Sequence, residues 1–403
     1  MNSKQYLFNF FRRLIEIFII SSMVLYVLAI SNSQQSPLFL SIANLVTNYF
    51  LFGFCALSLF VYKIRPSEVF MYFGIFVISC IIYEHSDDPN IIKLILLIII
   101  MRRFNIRKIL YIFLISNVSI LSITLFMFGI GQWADTIMIE NSTIKHSFGF
   151  IQPNSLGRTV FLIILILLTG SAMGEFQKIF KRKIWVGVLT LLLVYLLYMS
   201  KSTASILGSF LSLVFFVLVC LYKNKSVLFK KIIKLSSLSL FFGSLFFTFY
   251  FAINNSYNSV IGQTLNNILT GRLYFSYQYF SNYDLTMFGQ KLFVNTDTSI
   301  GAVYQYLDNG ILVVVLSYGI IFAILLLIYY LALIERCFSR NLIPLLVSIV
   351  VLLVFSTVEK SGLTFYTNFS LYFITLLFNE NKILRGTNLS PGQIYDKSTF
   401  KIS

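Results

Sequence analysis

Residues 94–116 read LILLIIIMRRFNIRKILYIFLIS. Arg102, Arg103, Arg107 and Lys108 stand together between two apolar runs that hold no other charge. Apolar runs bounded by short basic loops are the pattern of helices that cross a bilayer, and the basic side marks the cytoplasm. The same punctuation recurs along the chain: Lys4, Arg12 and Arg13; Lys63 and Arg65; Lys178, Lys181, Arg182 and Lys183; Lys223, Lys225, Lys230, Lys231 and Lys234; Arg336 and Arg340; and Lys382, Arg385, Lys397 and Lys401. These clusters hold 24 of the 31 Lys and Arg residues. Lys93, Lys145, Arg158, Lys201, Arg272, Lys291 and Lys360 remain outside them.

Composition fixes the class. Hydrophobic residues make up 58% of the chain and charged residues 11%, against roughly a quarter charged in soluble domains. A water-soluble core cannot absorb that much apolar surface, so the expected fold is an all-α integral membrane protein. The net charge of +16 is spread over short loops, with no basic domain to carry it; nucleic acid is therefore not an expected partner. Cys55, Cys80 and Cys220 lie in apolar runs and Cys337 in a basic loop, with no CxxC or Cys/His cluster for a disulfide framework or a zinc site. No cofactor or metal is expected. The basic, then long apolar N-terminus has no small-residue cleavage site and reads as a retained first span.

Approximate spans are 14–31, 38–61, 68–83, 90–104, 108–130, 154–174, 184–199, 202–222, 230–252, 308–334, 341–357 and 363–378, about twelve in one polytopic domain over 1–403. If the third and fourth form a re-entrant pair the count becomes ten with the same orientation. Alternating the loops puts every basic cluster and both termini in the cytoplasm. Glu84, Asp87, Asp88, Asp135, Glu140, Asp284, Asp297, Asp308 and Glu359 come out external. Two external segments exceed simple turns: Gly131 to Pro153, and a large loop from about Ile253 to Leu307 that is rich in Asn, Tyr and Ser. The large loop is expected to carry short interfacial helices, where tyrosine is at home.

Four constellations on the external side could carry chemistry. The first runs from His146 to Arg158 (HSFGFIQPNSLGR). Asn154 and Arg158 are four residues apart and share a helix face near the outer boundary. Arg158 either snorkels above an Asn cap or binds an anion, and its planar fork suits phosphate. The second is the turn Ser200-Lys201-Ser202, where Ser202 can cap a helix and Lys201 can be a solvated head or a cavity cation. The third is Thr270-Gly271-Arg272, holding the only arginine of the large loop, and is followed by Phe288-Gly289-Gln290. The fourth is Tyr306-Leu307-Asp308-Asn309-Gly310, in which Asp308 either caps the next helix or serves as a general base. Glu84 to Asp88 reads as a solvated acidic turn or a divalent-metal loop, Glu359-Lys360 as a local ion pair, Lys93 as a snorkelling side chain, and Lys145 and Lys291 as loop charges.

Taken together and in this order, these motifs resemble the bacterial polysaccharide repeat-unit polymerases (Wzy), which share a superfamily with the O-antigen ligases. The resemblance covers roughly 145–320. It rests on the Gly149 to Asn154 approach to a span, Ser200 with Ser202, Gly271 with Arg272, and Asp308 with Asn309. The stretch LDNGILVVVLSY (Leu307 to Tyr318) followed by Gly319 is the most family-like. Members often carry Arg ahead of the Pro-Asn and after the Ser-x-Ser; this chain has Lys145 and His146 at the first place and Lys201 and Thr203 at the second. A ligase-like His near the late span is absent, which favours polymerase over ligase.

The resemblance implies that a growing glycan on undecaprenyl diphosphate is transferred at the outer leaflet onto a lipid-linked repeat unit. It implies catalytic roles for Arg158, Arg272 and Asp308, and substrate contacts from His146, Asn154, Lys201 and Asn309. In that scheme Arg158 and Arg272 hold diphosphate with help from Lys201, and Asp308 is the base or orients it. Implied partners are lipid-linked oligosaccharides, the bilayer, and a flippase and a chain-length regulator. Two alternatives stand beside it, a flippase for the same lipid-linked unit and an O-antigen ligase.

Overall fold

The computed structural model describes residues 3–32, 37–62, 66–140, 143–174, 183–222, 227–294 and 306–378. The expected cytoplasmic cations Lys63, Arg65, Lys178, Lys181, Arg182, Lys223, Lys225, Lys382, Arg385, Lys397 and Lys401, and the external Asp297, lie outside the described residues.

The chain is helical almost throughout. Helix α1 (Ser3–Asn32) is followed by α2 (Pro37–Asn44), which passes through a π turn (Leu45–Phe50) into α3 (Leu51–Val61). Next come α4 (Pro66–Ser86), α5 (Asn90–Met101) and α6 (Ile106–Gly129). Asn105 starts α6 by accepting from the Lys108 amide at 2.9 Å, so the basic loop of the opening stretch is also a helix start. A two-stranded antiparallel hairpin, β1 (Met138–Glu140) and β2 (Thr143–Lys145), then interrupts the helices with Met138 opposite Lys145. Helices α7 (Pro153–Ala172), α8 (Lys183–Ser200), α9 (Thr203–Tyr222) and α10 (Val227–Ile253) follow, then the short α11 (Val260–Ile268) and α12 (Arg272–Asn282). The last are α13 (Gly310–Ser317), α14 (Gly319–Ser339), α15 (Ile343–Ser356) and the single turn α16 (Thr375–Phe378).

Among the described residues, 6 helices are long and apolar enough to cross a membrane, lying within α2–α3, α4, α6, α7, α10 and α14. Four shorter apolar helices, within α5, α8, α9 and α15, run beside them. Outward-facing residues such as Phe60, Phe70 and Leu191 are largely exposed. Such an apolar outer belt fits lipid and not water. Helix α15 is buried on nearly every side and forms the centre, packed by α7, α9, α10 and α14. An all-round apolar helix belongs there.

Two expected spans are corrected. The span expected at 308–334 is broken in two, because Gly319 adopts a left-handed backbone (φ 85°) and a side chain there would collide with Met287 and Gly289. The loop around Thr286 occupies that break and receives the amides of Ile320 and Ile321. The span expected at 363–378 is not a helix. It consists of 3-10 turns at Lys360–Leu363 and Phe369–Tyr372 before α16. Its polar side chains compete for the backbone: Asn368 accepts from the Ser370 amide and donates to the Gly362 carbonyl, and Thr364 donates to the Ser361 carbonyl. The segment is buried, and Tyr329 of α14 donates to the carbonyls of Ser370 and Leu371, so its irregular backbone is satisfied inside protein.

The bundle has two chemically distinct ends. One carries Arg12, Arg102, Arg103, Lys108, Lys234 and Arg336, with the pairs Arg103–Glu68, Lys108–Glu16 and Lys234–Glu335. The other carries Asp88, Asp135, His146, Arg158, Arg272, Asp308 and Glu359. At that second end Gly157 brings α7 against the α8–α9 turn. A Cβ on Gly157 would lie 2.6 Å from the Ser202 Cβ and 3.0 Å from the Ser200 Oγ. The Ser-x-Ser pattern thus reads as small residues that let α7 approach. Gly157→Ala should lower stability by about 1–3 kcal/mol through overpacking, whereas Gly243→Ala in α10, with open space around it, should melt at or above the parent temperature. Thermal unfolding of both variants in detergent checks this, and equal melting would contradict the close approach.

Candidate functional site

The large loop builds its arginine from local rules. Thr270 and Gly271 both take left-handed backbones (φ 54° and 83°), and Asn266 Oδ1 accepts from the amides of Leu273 and Tyr274. That turn reverses the chain after α11 and points the first residue of α12 inward. Arg272 Nε lies 2.7 Å from Asp308 Oδ2, Nη2 lies 3.2 Å from Glu359 Oε2, and Nη1 donates to the Val358 carbonyl at 2.5 Å. The guanidinium is 8% exposed. One cation therefore joins α12, the approach to α13 and the exit from α15.

The charges in this tie shape one another. Burial pushes the Asp308 carboxyl up from its ordinary 3.8 to about 6; Arg272 pulls it down and Glu359 pushes it up. Burial works against the Arg272 charge, but Asp308 and then Glu359 outweigh it and hold the guanidinium above its ordinary value. The hydroxyl of Tyr306 is raised by burial and then by the same two carboxylates. Asp308 does not cap α13: Asn309 does, accepting from the amides of Ile311 and Leu312 at 3.1 Å each. The expected substrate contact from Asn309 is corrected to this structural one, since the side chain is buried and also donates to Thr248. The expectation that Arg272 offers itself to diphosphate is corrected as well. Two carboxylates and a carbonyl already occupy its fork.

Asn154 and Arg272 do come together. With Lys145, Thr203, Leu269 and Thr270 they line a polar cavity of about 10 Å³, room for one water and not for a sugar. Thr203 takes the place expected for Lys201, which sits half-buried in the α8–α9 turn with a left-handed backbone (φ 44°). His146 is held apart from this cavity, with Nδ1 2.6 Å from Asp135 Oδ2 and its ring stacked on Phe148. Burial opposes the Asp135 charge, but His146 and the amides of Phe148 and Ser147 outweigh it and hold this carboxyl low.

Arg158 lies one turn into α7. Its guanidinium carbon is 5.7 Å from the Tyr366 ring centre, and it makes no ion pair among the described residues. Two cations read from sequence as bystanders join it. Lys93 of α5, 6% exposed, has Nζ 4.7 Å from the Tyr26 ring centre. Lys360 has Nζ 5.9 Å from that of Tyr306. The expected Glu359–Lys360 pair is corrected, because Glu359 turns to Arg272 instead. In the Glu84–Asp88 turn, Asp87 pairs with Lys291, and Asp88 accepts from Tyr318 and from the Asn90 amide. Sequence reading took Lys93 and Lys360 as bystanders and did not single out Tyr26 or Tyr366, while Tyr306 stood in the fourth constellation. The one available signal was Lys93 itself, a lysine three residues inside an apolar run.

Below the polar layer lies an apolar cavity of about 350 Å³, lined among others by Phe241 and Phe249 of α10, Ile311 and Val314 of α13, Leu327 of α14, and Leu363. Compared with known proteins, the chain matches no family model, no curated protein and no solved structure.

Two outcomes follow from the tie. Arg272→Met leaves two buried carboxylates without their cation and should cost about 3–5 kcal/mol; adding Asp308→Asn should recover part of it. Melting curves of the single and double variants decide, and a double variant no better than the single one would contradict the tie. The second outcome concerns pH. The folded chain holds the Asp308 proton up to about pH 6, against 3.8 for an ordinary carboxyl. This group's stabilising contribution is therefore full below the lower value and is lost as pH rises to the upper one. Asp308→Asn should gain on the parent between those two values, which paired melting at pH about 4 and about 7 measures; a constant gap would contradict it.

Proposed function

We propose that this protein is a polymerase of lipid-linked glycan repeat units in the bacterial cytoplasmic membrane. The observation that carries the reading is the shared geometry of the polar layer and the apolar cavity. Asp308 precedes α13, and Ile311 and Val314 on the next turns line the cavity. Glu359 and Lys360 likewise belong to the polar layer, and Leu363 lines the cavity. A site charged at one end and apolar directly below fits a substrate with a polar head on an isoprenoid chain. The cations of the opposite end mark the cytoplasmic face by the positive-inside bias, which on this reading turns the site outward.

In the reaction proposed, an acceptor hydroxyl oxygen on a lipid-linked repeat unit attacks the anomeric carbon of the growing chain. The bond from that carbon to the diphosphate lipid breaks, and the diphosphate leaves with the electron pair. Asp308 takes the hydroxyl proton, a task suited to a carboxyl lifted to about 6. Arg158, which makes no ion pair among the described residues, stabilises charge growing on the leaving diphosphate. Arg272 positions Asp308. Asn154 lines the small cavity beside Arg272 and is left a sugar contact, as are His146 and Lys201 outside that cavity.

Deleting the gene should abolish polymer and leave single lipid-linked units on the outer face. Accumulation on the inner face would favour a flippase instead, and long polymer with unloaded acceptor would favour a ligase. Within the site, Arg158→Gln should cut polymer yield by about 10²-fold or more, as expected for losing a transition-state donor. Gel analysis of the glycan in a strain making equal protein measures it; unchanged yield would remove Arg158 from the mechanism.

A further inference from the structure

Lys93 presents a physical anomaly. A lysine that is 6% exposed keeps its ammonium away from water, yet it makes no ion pair among the described residues. The carboxylate that reaches it electrostatically is Asp88. Both oxygens of Asp88 are engaged, by the Tyr318 hydroxyl at 2.8 Å and the Asn90 amide at 3.0 Å. A ring face attracts an ammonium, but it does not replace the lost hydration.

Lys93 is one of three cations placed alike. Lys93 lies over Tyr26, Arg158 over Tyr366 and Lys360 over Tyr306, at 4.7, 5.7 and 5.9 Å. The rings are neighbours. Tyr26 and Tyr366 have centroids 5.2 Å apart, and Tyr306 is close enough to feel both Tyr366 and Arg158. Asp308 and Glu359, the other carboxylates at this layer, are committed to Arg272. Three cations thus converge on a tyrosine cluster whose carboxylates are already used. The missing partner is an anion of more than one charge. Tyr306 and Tyr366 hydrogen-bond to no described residue, which leaves their hydroxyls as donors to its oxygens.

We infer that Lys93, Arg158 and Lys360, with Tyr26, Tyr306 and Tyr366, form the binding site for the diphosphate of an isoprenoid lipid. This deepens the polymerase reading by naming the head-group site, and rests on that reading for the isoprenoid part. It moves the site away from Arg272 and Lys201, and draws four of its six residues from segments outside 145–320. The apolar cavity lined by Leu363, three residues past Lys360, receives the isoprenoid.

The experiment uses the full chain in nanodiscs and measures equilibrium binding of radiolabelled farnesyl diphosphate, with inorganic pyrophosphate and farnesol as competitors. Farnesyl diphosphate should bind, pyrophosphate should compete more weakly and farnesol should not compete. Pyrophosphate competing equally well would keep the anion site and identify its ligand as a free diphosphate. Lys93→Met should weaken binding by about tenfold or more while melting at or above the parent temperature, since no ion pair is lost. Lys360→Met should weaken binding with the same sign, and Lys291→Met, whose lysine pairs with Asp87, should not. Unchanged binding in Lys93→Met would overturn the inference, whether or not it melts lower. Normal polymer in a deletion strain, with Lys93-dependent binding intact, would overturn the polymerase reading and leave the site standing.

Discussion

One end of the helix bundle hangs on one guanidinium. Arg272 touches Asp308, Glu359 and the Val358 carbonyl, and these groups come from segments far apart in sequence. That contact fixes α12 against the start of α13 and the end of α15. A buried charge is costly unless it is paired and hydrogen-bonded, and here one cation satisfies two carboxylates and a carbonyl together. Gly310 adds a constraint of shape, since a side chain there would press on the carbonyls of Ser356, Glu359 and Lys360.

Because Arg272 takes both carboxylates as its direct partners, Lys93, Arg158 and Lys360 make no ion pair among the described residues. Had Glu359 paired with Lys360, as adjacent residues invite, the cation set would have lost a member. Had Asp308 capped α13, Arg272 would have had one acid fewer. Asn309 takes over the capping and frees Asp308 for Arg272. The site is therefore an arrangement of charges assigned by geometry, with acids gathered around one arginine and cations over three tyrosine rings.

Helix positions were legible in the sequence wherever apolar runs ended at charges or prolines. The runs over 68–83, 108–130, 154–174 and 202–222 appear as α4, α6, α7 and α9, within a few residues at each end. Two runs misled for one reason: hydropathy counts apolar side chains and is blind to backbone competition. Gly319 breaks the first, and Asn368, Thr364 and Ser370 unwind the second. The hairpin at Met138–Lys145 is too short for a periodic signal. Of the candidate residues, Arg272 and Asp308 meet, and Asn154 faces the same small cavity as Arg272. Lys93 stood out as a lysine inside an apolar run, but the ring faces that it and Lys360 lie against are a property of the folded chain.

The central claim is that this outward charged layer joins glycans carried on diphosphate lipids. The most direct measurement reconstitutes the purified protein in liposomes with lipid-linked repeat units and follows released diphosphate lipid together with new glycosidic bonds. The account predicts one diphosphate lipid released for each bond formed, with both lost in Arg158→Gln. Movement of the intact lipid-linked unit across the bilayer, with no bond formed and no diphosphate lipid released, would contradict it.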